Sequence, residues 1–264
     1  MLKDVLSRAE AERMVAMAET MGIDRGGGAT SGADEADREN GAVSWVLHRE
    51  LADQLFERIA PHLPKSIAVH SPGMPAPVST GEPWVREIAG APAGIYALHG
   101  LNARSRIYRY EAETDDAFSP HFDETWPGSD LDQQPGCAPA LKFDEWRYSR
   151  DADGAWAWSD GDRLSHLTVL LYLSDGFTGG ETLLHLGPHD VEGELLAAAV
   201  AEASARTTAV SPIAGSVLLF PQSLKLSRRG IMQSPTAILH EGLPSKGPAA
   251  KYVLRTVRRR HSNH

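Results

Sequence analysis

The order of secondary-structure patterns along this chain limits the folds available to it. Two helical patterns come first: Ser7 and Glu10 match a capping box before a helix that Gly22 ends, and apolar residues recur at helical spacing from Leu51 to Ile59. Strand patterns follow, the strongest a nearly continuous apolar run from His166 to Leu173. Because helices and strands do not alternate, we expect an α+β fold whose sheets are mostly antiparallel, with a sandwich or barrel core.

Composition and charge exclude several classes of protein. The 264 residues are 42% hydrophobic, which supplies a real core, and the net charge of −9 argues against a nucleic-acid partner. The basic run Arg258–Arg260 is typical of a solvated tail. Cys137 is the single cysteine, so an internal disulfide is excluded and a thiolate zinc site is disfavoured. With no membrane-length apolar run and no signal-peptide pattern, we expect a soluble cytoplasmic protein with no membrane partner.

A histidine and a carboxylate lie two residues apart in the stretch Ser119–Asp123. In an extended strand, His121 and Asp123 would project from the same face. An imidazole and a carboxylate side by side make two-thirds of a facial iron(II) site, which needs one more histidine and leaves positions open for other ligands. The candidate donor is His240, close upstream of a strand pattern at Lys251–Thr256.

The stretch from Arg104 to Tyr110 alternates polar and aromatic residues with strand period, and three arginines crowd it: Arg104, Arg106 and Arg109. Periodicity leaves two interpretations open. The strand lies at a sheet edge with its arginines extended into water, or it forms a pocket wall that binds an anionic ligand.

Several further stretches carry expectations of their own. Asp151–Gly154 lies between aromatic flanks and predicts the turn of a hairpin; it lacks the later acidic residues of a calcium-binding loop. The alanine-rich segment 191–205 predicts an inserted helix. His185 and His189 are either ordinary loop histidines or a secondary metal site, and the first interpretation is favoured. The irregular segments 24–40 and 71–83 suggest lids over a site.

Three segments, taken together and in order, resemble the iron(II)- and 2-oxoglutarate-dependent dioxygenases, in the branch similar to prolyl 4-hydroxylases. They are Arg106–Tyr110 leading to Ser119–Asp123; Leu167–Asp175 with Gly179–Thr182; and Gly215–Phe220 with Leu239–Gly242 and Lys251–Arg255. The resemblance implies a double-stranded β-helix, or jelly roll, of mostly antiparallel strands flanked by N-terminal helices. It implies one domain over residues 1–264, divided as follows: helical support at 1–65 and a core at 100–258, with inserts at 126–164 and 184–212.

The resemblance also implies roles for individual residues. His121, Asp123 and His240 would bind iron(II), and metal binding should weaken at acid pH because ligation needs neutral imidazoles and an ionised carboxylate. Lys251 would bind the distal carboxylate of 2-oxoglutarate. Arg255, four residues on and on the same strand face, is the alternative, since its planar guanidinium suits a carboxylate as well.

Two more residues, Tyr110 and Thr168, match positions that hydrogen-bond the 2-oxoglutarate carboxylate in the family. The implied reaction uses O2 and 2-oxoglutarate, with ascorbate as a possible supporting reductant, to hydroxylate a C–H bond and release succinate and CO2. Related halogenases replace the metal-binding carboxylate with a small residue that leaves room for halide. Because this chain has Asp123 at that position, hydroxylation is expected and halogenation is not. A peptidyl proline or another amino-acid-like small molecule is the default substrate. A non-catalytic protein that senses 2-oxoglutarate or metal is the alternative, and the oligomeric state is left open.

Overall fold

The computed structural model describes residues 1–24, 40–70, 85–87, 94–112, 114–123, 129–132, 140–143, 148–150, 156–158, 165–186, 206–222 and 237–261. Four features predicted from the sequence lie wholly or almost wholly outside these ranges: the lid segments 24–40 and 71–83, the helix at 191–205, and His189. Within the described ranges, no helix combines the length and the apolar character that crossing a membrane requires.

The two predicted helices are present, α1 at Arg8–Met21 and α2 at Arg49–Ile59. The predicted capping box opens α1: the Ser7 hydroxyl accepts a hydrogen bond from the Glu10 backbone N–H, and the Glu10 carboxylate accepts one from the Ser7 backbone N–H. Gly22 ends the helix at a φ of +85°, a conformation that favours glycine. Local sequence signals therefore fix both ends of α1.

The helices bury narrow apolar stripes. Met14 is buried in α1, whereas Met17 and Met21 are 51% and 44% exposed. An ion pair joins the helices, because the Arg58 guanidinium donates to both carboxylate oxygens of Glu10 at 3.0 and 2.9 Å.

An eight-stranded sheet forms the larger layer of the fold. Its strands are β1 (Gly41–Val46), β2 (Ser66–His70), β3 (Val85–Glu87), β4 (Gly94–Leu101), β5 (Arg104–Tyr110), β11 (Ser165–Tyr172), β15 (Val217–Pro221) and β18 (Lys251–His261). The path runs β1-β5-β18-β4-β2-β3, and β11 pairs with both β18 and β15. Strand β18 thus has β5 and β4 along one side and β11 along the other.

A four-stranded sheet forms the smaller layer. Its strands are β6 (Phe118–His121), β13 (Thr182–His185), β14 (Thr207–Val210) and β16 (Leu239–Gly242), in the order β14-β13-β16-β6. Three two-stranded ribbons complete the described strands: β7 (Ser129–Asp132) with β8 (Ala140–Phe143), β9 (Tyr148–Arg150) with β10 (Trp156–Trp158), and β12 (Thr178–Gly179) with β17 (Ser245–Lys246). Every described strand pair is antiparallel except β2 with β3, which confirms the prediction of mostly antiparallel sheets.

Alternation along the strands gives the large sheet two distinct faces. On β18, Leu254 packs into a core shared with α1 and α2, whereas Val253 packs into a second core together with Tyr108. Side chains of the smaller sheet, among them Phe118 and Leu184, pack against this second core. The helices therefore cover the outer face of the large sheet, and the smaller sheet covers the inner face.

Several boundaries differ from those predicted. Strands β2, β3 and β4 were not predicted, and β4 carries the large sheet to positions before residue 100, where the core was expected to begin. Strands β13 and β14 pair with each other, so the segment inserted between them is shorter than 184–212. The predicted hairpin around 151–154 is confirmed by the antiparallel pairing of β9 with β10.

Candidate metal centre and cosubstrate pocket

Strand pairing in the smaller sheet brings the three candidate metal ligands together. His121 ends β6 and lies directly opposite His240 on β16, and Asp123 follows β6 by two residues. One ligand atom from each lies within 4.8 Å of the others. The Asp123 Oδ1 atom is 3.7 Å from His121 Nε2, and Oδ2 is 3.8 Å from His240 Nε2. A metal about 2.0–2.2 Å from each atom fits between them.

Backbone contacts orient both imidazoles toward this point. The Nδ1 atom of His121 lies 2.7 Å from the Ser119 carbonyl oxygen, and that of His240 lies 3.1 Å from the Ile238 carbonyl oxygen. A carbonyl can only accept, so in the neutral rings Nδ1 carries the proton and Nε2 presents its lone pair to the centre. Aromatic rings also pack against both imidazoles: the ring centroids of Phe118 and His121 are 3.7 Å apart in a stacked arrangement, and those of Phe220 and His240 are 4.4 Å apart.

The charge states match those that metal ligation requires. Burial, followed by repulsion from the His240 imidazole, lowers the pKa of His121 to about 3. Burial also lowers the pKa of His240 below its ordinary value. Burial by itself would raise the pKa of Asp123, but Arg255 and then the two imidazoles outweigh it, and the pKa falls to about 2. At neutral pH the centre therefore holds two neutral imidazoles and one carboxylate.

Two donors fix the carboxylate of Asp123, which is almost fully buried. The Thr168 hydroxyl donates to Oδ2 at 2.5 Å, and Arg255 Nη2 donates to Oδ1 at 2.7 Å. Thr168 sits on β11 opposite Val257, six residues along β18 from Lys251, which corresponds to roughly 20 Å. The structure thus corrects the expected place of Thr168: it supports Asp123 and does not reach the neighbourhood of Lys251.

The same pocket contains a buried ammonium group. Lys251 is 1% exposed, and its Nζ atom lies 4.3 Å from the ring centroid of Tyr110, its direct partner on β5. Burial lowers the pKa of Lys251 to about 7, and the Glu181 carboxylate partly opposes that shift. Lys251, Tyr110 and Thr182 line one cavity with the three candidate metal ligands. Because the Lys251 ammonium group and the candidate metal centre share one cavity, the cavity suits a ligand that chelates the metal at one end and carries a carboxylate at the other.

The two basic candidates on β18 occupy different ends of this cavity. Lys251 pairs with Tyr110, and Arg255 pairs with Arg106 and reaches Asp123. Their separation of four residues corresponds to roughly 13 Å along the strand. Lys251 therefore lies at the end remote from Asp123, whereas Arg255 lies beside it.

The three arginines of β5 divide between the two faces of the sheet. Arg109 lies on the outer face, where it forms ion pairs with Glu19 of α1 at 3.5 Å and with Glu111 at 2.5 Å. Arg104 and Arg106 lie on the inner face, since they interact electrostatically with Tyr108 and Arg255. Strand β5 lies between β1 and β18, so the interpretation that placed it at a sheet edge is wrong. Its inner face forms part of the cavity wall through Tyr108 and Tyr110, and binding of an anionic ligand there stays a prediction.

Two pocket residues escaped the sequence reasoning. Thr182 lines the cavity and accepts a hydrogen bond from the Tyr172 hydroxyl at 2.7 Å, and Glu181 faces Lys251 electrostatically. Both belong to the Gly179–Thr182 motif, which the sequence analysis singled out without giving either residue a role. His185, expected on the surface or in a loop, is instead buried on β13, with Nε2 2.9 Å from Glu241 Oε1.

Comparisons with known proteins give structural likenesses at low sequence identity. No protein-family model matches the sequence, and no curated protein is similar to it. Among solved structures, a prolyl-4-hydroxylase from Pseudomonas putida aligns with a TM-score of 0.46 at 13% identity, covering 97% of this chain and 90% of that one. A 2OG-Fe(II) oxygenase family oxidoreductase from Burkholderia pseudomallei aligns with a TM-score of 0.41 at 12% identity, covering 97% and 81%.

A third solved structure was obtained with ligands. HygX from Streptomyces hygroscopicus, with nickel, 2-oxoglutarate and hygromycin B bound, aligns with a TM-score of 0.42 at 15% identity, covering 98% of this chain and 81% of that one. The three similar structures are thus a prolyl-4-hydroxylase, a 2OG-Fe(II) oxygenase family oxidoreductase and HygX, each at 15% identity or less.

Proposed function

We propose that this protein is an iron(II)- and 2-oxoglutarate-dependent dioxygenase that hydroxylates an unactivated C–H bond. One observation carries the proposal: the His121, Asp123 and His240 cluster and the buried ammonium of Lys251 line a single cavity. Two neutral imidazoles and one carboxylate on one side of a metal position suit non-haem iron(II) and leave other coordination positions open. The two facing sheets suit a double-stranded β-helix, within one domain spanning residues 1–264.

The donor set fits the metal on evidence from this chain alone. Both Nε2 atoms point at the carboxylate, because both Nδ1 atoms face backbone carbonyls. Thr168 and Arg255 hold the carboxylate ionised and oriented. His121, Asp123 and His240 would therefore hold iron(II) without rotating away from their present contacts.

Iron(II) with O2 and 2-oxoglutarate supplies the oxidising chemistry, in which 2-oxoglutarate becomes succinate and CO2 while one oxygen atom enters the substrate. The protein's own contribution is binding, orientation and exclusion of water. Lys251 binds the distal carboxylate of 2-oxoglutarate as an ammonium ion, and Tyr110 and Thr182 line the same end of the cavity. Phe118 and Phe220 cover the imidazoles and keep water from that side.

The default substrate is a peptidyl proline or another amino-acid-like small molecule, handled in the cytoplasm. This choice rests on the resemblance of the motifs to prolyl hydroxylases. A non-catalytic sensor of 2-oxoglutarate is the second candidate function, because the same cavity would bind the same ligands without turnover.

An anaerobic titration of the purified protein with iron(II), then with 2-oxoglutarate, tests the proposal. The expected result is a visible charge-transfer band on chelation that is lost in His240→Ala. His185→Gln is the matched control: it changes another buried histidine of the same sheet and should keep the band. The absence of a band in the wild-type protein would overturn the proposal. A band without O2-dependent succinate release in the presence of candidate substrates would favour the sensor.

A further inference from the structure

Arg255 contacts the same carboxylate that a metal would have to contact. Its Nη2 atom donates to Asp123 Oδ1 at 2.7 Å, and the side chain of Asp123 is only 2% exposed. The same Oδ1 atom lies 3.7 Å from His121 Nε2, and Asp123 is one of the three ligands that converge on the metal position. The guanidinium group of Arg255 and a divalent metal would therefore share one carboxylate.

A buried carboxylate needs a counter-charge, because burial disfavours its ionised form. Burial raises the pKa of Asp123, and Arg255 is the strongest of the groups that lower it, ahead of both imidazoles, so that the pKa falls to about 2. The Thr168 hydroxyl donates to Oδ2 at 2.5 Å, but this hydroxyl is neutral. The chain thus supplies its own cation for Asp123, independently of any metal.

The positive charge of Arg255 also acts on the two histidine ligands. Burial is the main cause that lowers the pKa values of His121 and His240, and Arg255 lowers both of them further. The guanidinium group therefore disfavours a proton on either imidazole. A metal dication bound to these rings would be repelled in the same way, because it carries twice the charge of a proton close to the same atoms.

We propose that Arg255 competes with the divalent metal for Asp123, so that it weakens metal binding and strengthens binding of the anionic cosubstrate. The inference rests on the proposed function, because it concerns the same metal and the same 2-oxoglutarate. Arg255 lines the cavity together with Lys251, so its charge favours a dianion there and opposes a dication. Thr168 differs from it in kind, since a hydroxyl orients the carboxylate without adding charge.

The same competition links metal binding to stability. Removing one partner of a buried ion pair leaves an uncompensated charge and strongly destabilises the folded state. Loss of Arg255 should therefore destabilise the metal-free protein through Asp123. A bound metal would replace the missing counter-charge, so the metal should stabilise such a variant more than it stabilises the wild type.

The test is a pair of calorimetric titrations of the wild type, Arg255→Met and Arg255→Lys. The first measures Zn(II) affinity, and the second measures 2-oxoglutarate affinity of the Zn(II)-loaded protein, in which no turnover occurs because zinc has no redox chemistry. In Arg255→Met we expect Zn(II) to bind on the order of tenfold more tightly and 2-oxoglutarate on the order of tenfold more weakly, since one nearby positive charge is lost. Arg255→Lys keeps that charge and should restore both affinities toward those of the wild type.

Opposite changes in the two affinities identify an effect of charge, because a variant with a damaged pocket would bind both ligands more weakly. Unchanged affinities, weaker Zn(II) binding in Arg255→Met, or identical behaviour of the Met and Lys variants would overturn the inference. Arg109→Gln is the matched control: it removes an arginine that pairs with Glu19 on the outer face of the sheet, and it should leave both affinities unchanged.

Urea unfolding with and without Zn(II) replaces the titrations if Arg255→Met does not fold without metal. Folding that depends on Zn(II) would support the inference, and a variant that stays unfolded with Zn(II) would overturn it. The wild type separates the two proposals. If the wild type does not bind Zn(II), the proposed function is refuted; if it binds Zn(II) and replacing Arg255 has no effect, the inference alone is refuted.

Discussion

Binding of 2-oxoglutarate should be accompanied by uptake of a proton at Lys251. In the empty cavity, burial lowers the pKa of this lysine from 10.5 to about 7. At about 1.4 kcal/mol per pH unit, the buried ammonium is destabilised by about 5 kcal/mol relative to an exposed one. The ammonium is therefore present in about half of the molecules at pH 7 and in about one in ten at pH 8.

A carboxylate bound next to Lys251 restores the charged form, because an opposite charge at contact offsets the cost of burial. Proton uptake on binding should then be about 0.5 at pH 7 and about 0.9 at pH 8. The candidate metal ligands do not contribute, since at these pH values the imidazoles are already neutral and the carboxylate is already ionised.

Isothermal titration calorimetry of Zn(II)-loaded protein in two buffers of different protonation enthalpy measures this uptake directly. Lys251→Met, of similar length and without a titrating group, is the control: its proton uptake should vanish and its affinity for 2-oxoglutarate should fall. If the wild type bound 2-oxoglutarate with no uptake at either pH, the carboxylate would be held by a group that stays charged. Arg255 would then take the role assigned to Lys251, and the reasoning from burial would be refuted.

The same lysine makes stability depend on pH in the ligand-free protein. Between pH 10.5 and about 7 the unfolded chain binds the proton more readily than the folded one, so the folded state loses stability as the pH falls through that window. Chemical denaturation of wild type and Lys251→Met should diverge over this range, with the variant more stable at pH 7. Parallel curves would contradict the inferred burial of the charge.

Three further predictions concern other contacts. Thr168→Val removes a hydrogen bond to the carboxylate ligand Asp123 and should weaken Zn(II) binding about tenfold. Thr256→Val, the control, loses a buried hydrogen bond outside the cavity and should lower only the unfolding free energy. Equal Zn(II) affinities in the two variants would contradict this prediction. Gly22→Ala should lower the unfolding free energy by about 1–3 kcal/mol, because Gly22 has a positive φ. Gly215→Ala, at nearly the same φ, should cost about 2 kcal/mol more, because its Cβ would lie 2.1 Å from the Leu6 carbonyl oxygen. Urea unfolding measures both unfolding free energies. Glu10→Gln should lower the unfolding free energy by about 1–2 kcal/mol at pH 7, and this difference from the wild type should disappear as the pH falls from 4.5 toward 2. A difference that stays constant during acid denaturation would refute the role of the carboxylate.

How much of the fold the sequence predicts depends on how local each signal is. The ends of α1 follow from Ser7, Glu10 and Gly22, which interact within one or two turns of chain. Strands β2 and β4 have no comparable local signal, because β4 is held by pairing with β18, which lies more than 150 residues later in the chain. The strands that the sequence did not predict are therefore strands whose stability depends on pairing with distant parts of the chain.

The candidate site shows the same division. The two-residue spacing of His121 and Asp123 predicts that both side chains lie on one side of an extended backbone, so their proximity can be predicted from two positions in the chain, although β6 itself ends at His121. That His240 lies opposite His121 depends on the register of β16 against β6, which the packing of both sheets decides.

The sequence by itself determined the residue types of the site, the helical caps and the two-residue periodicity of the strands, because these depend on neighbours in the chain. Only the tertiary structure decided which cation lies where: Lys251 at the buried end of the cavity, Arg255 on Asp123, and Arg109 on the opposite face from Arg106. The physical reason is that the environment of a charge, its burial and its partners, is set by strands distant in sequence, and the environment fixes both its pKa and what it can bind.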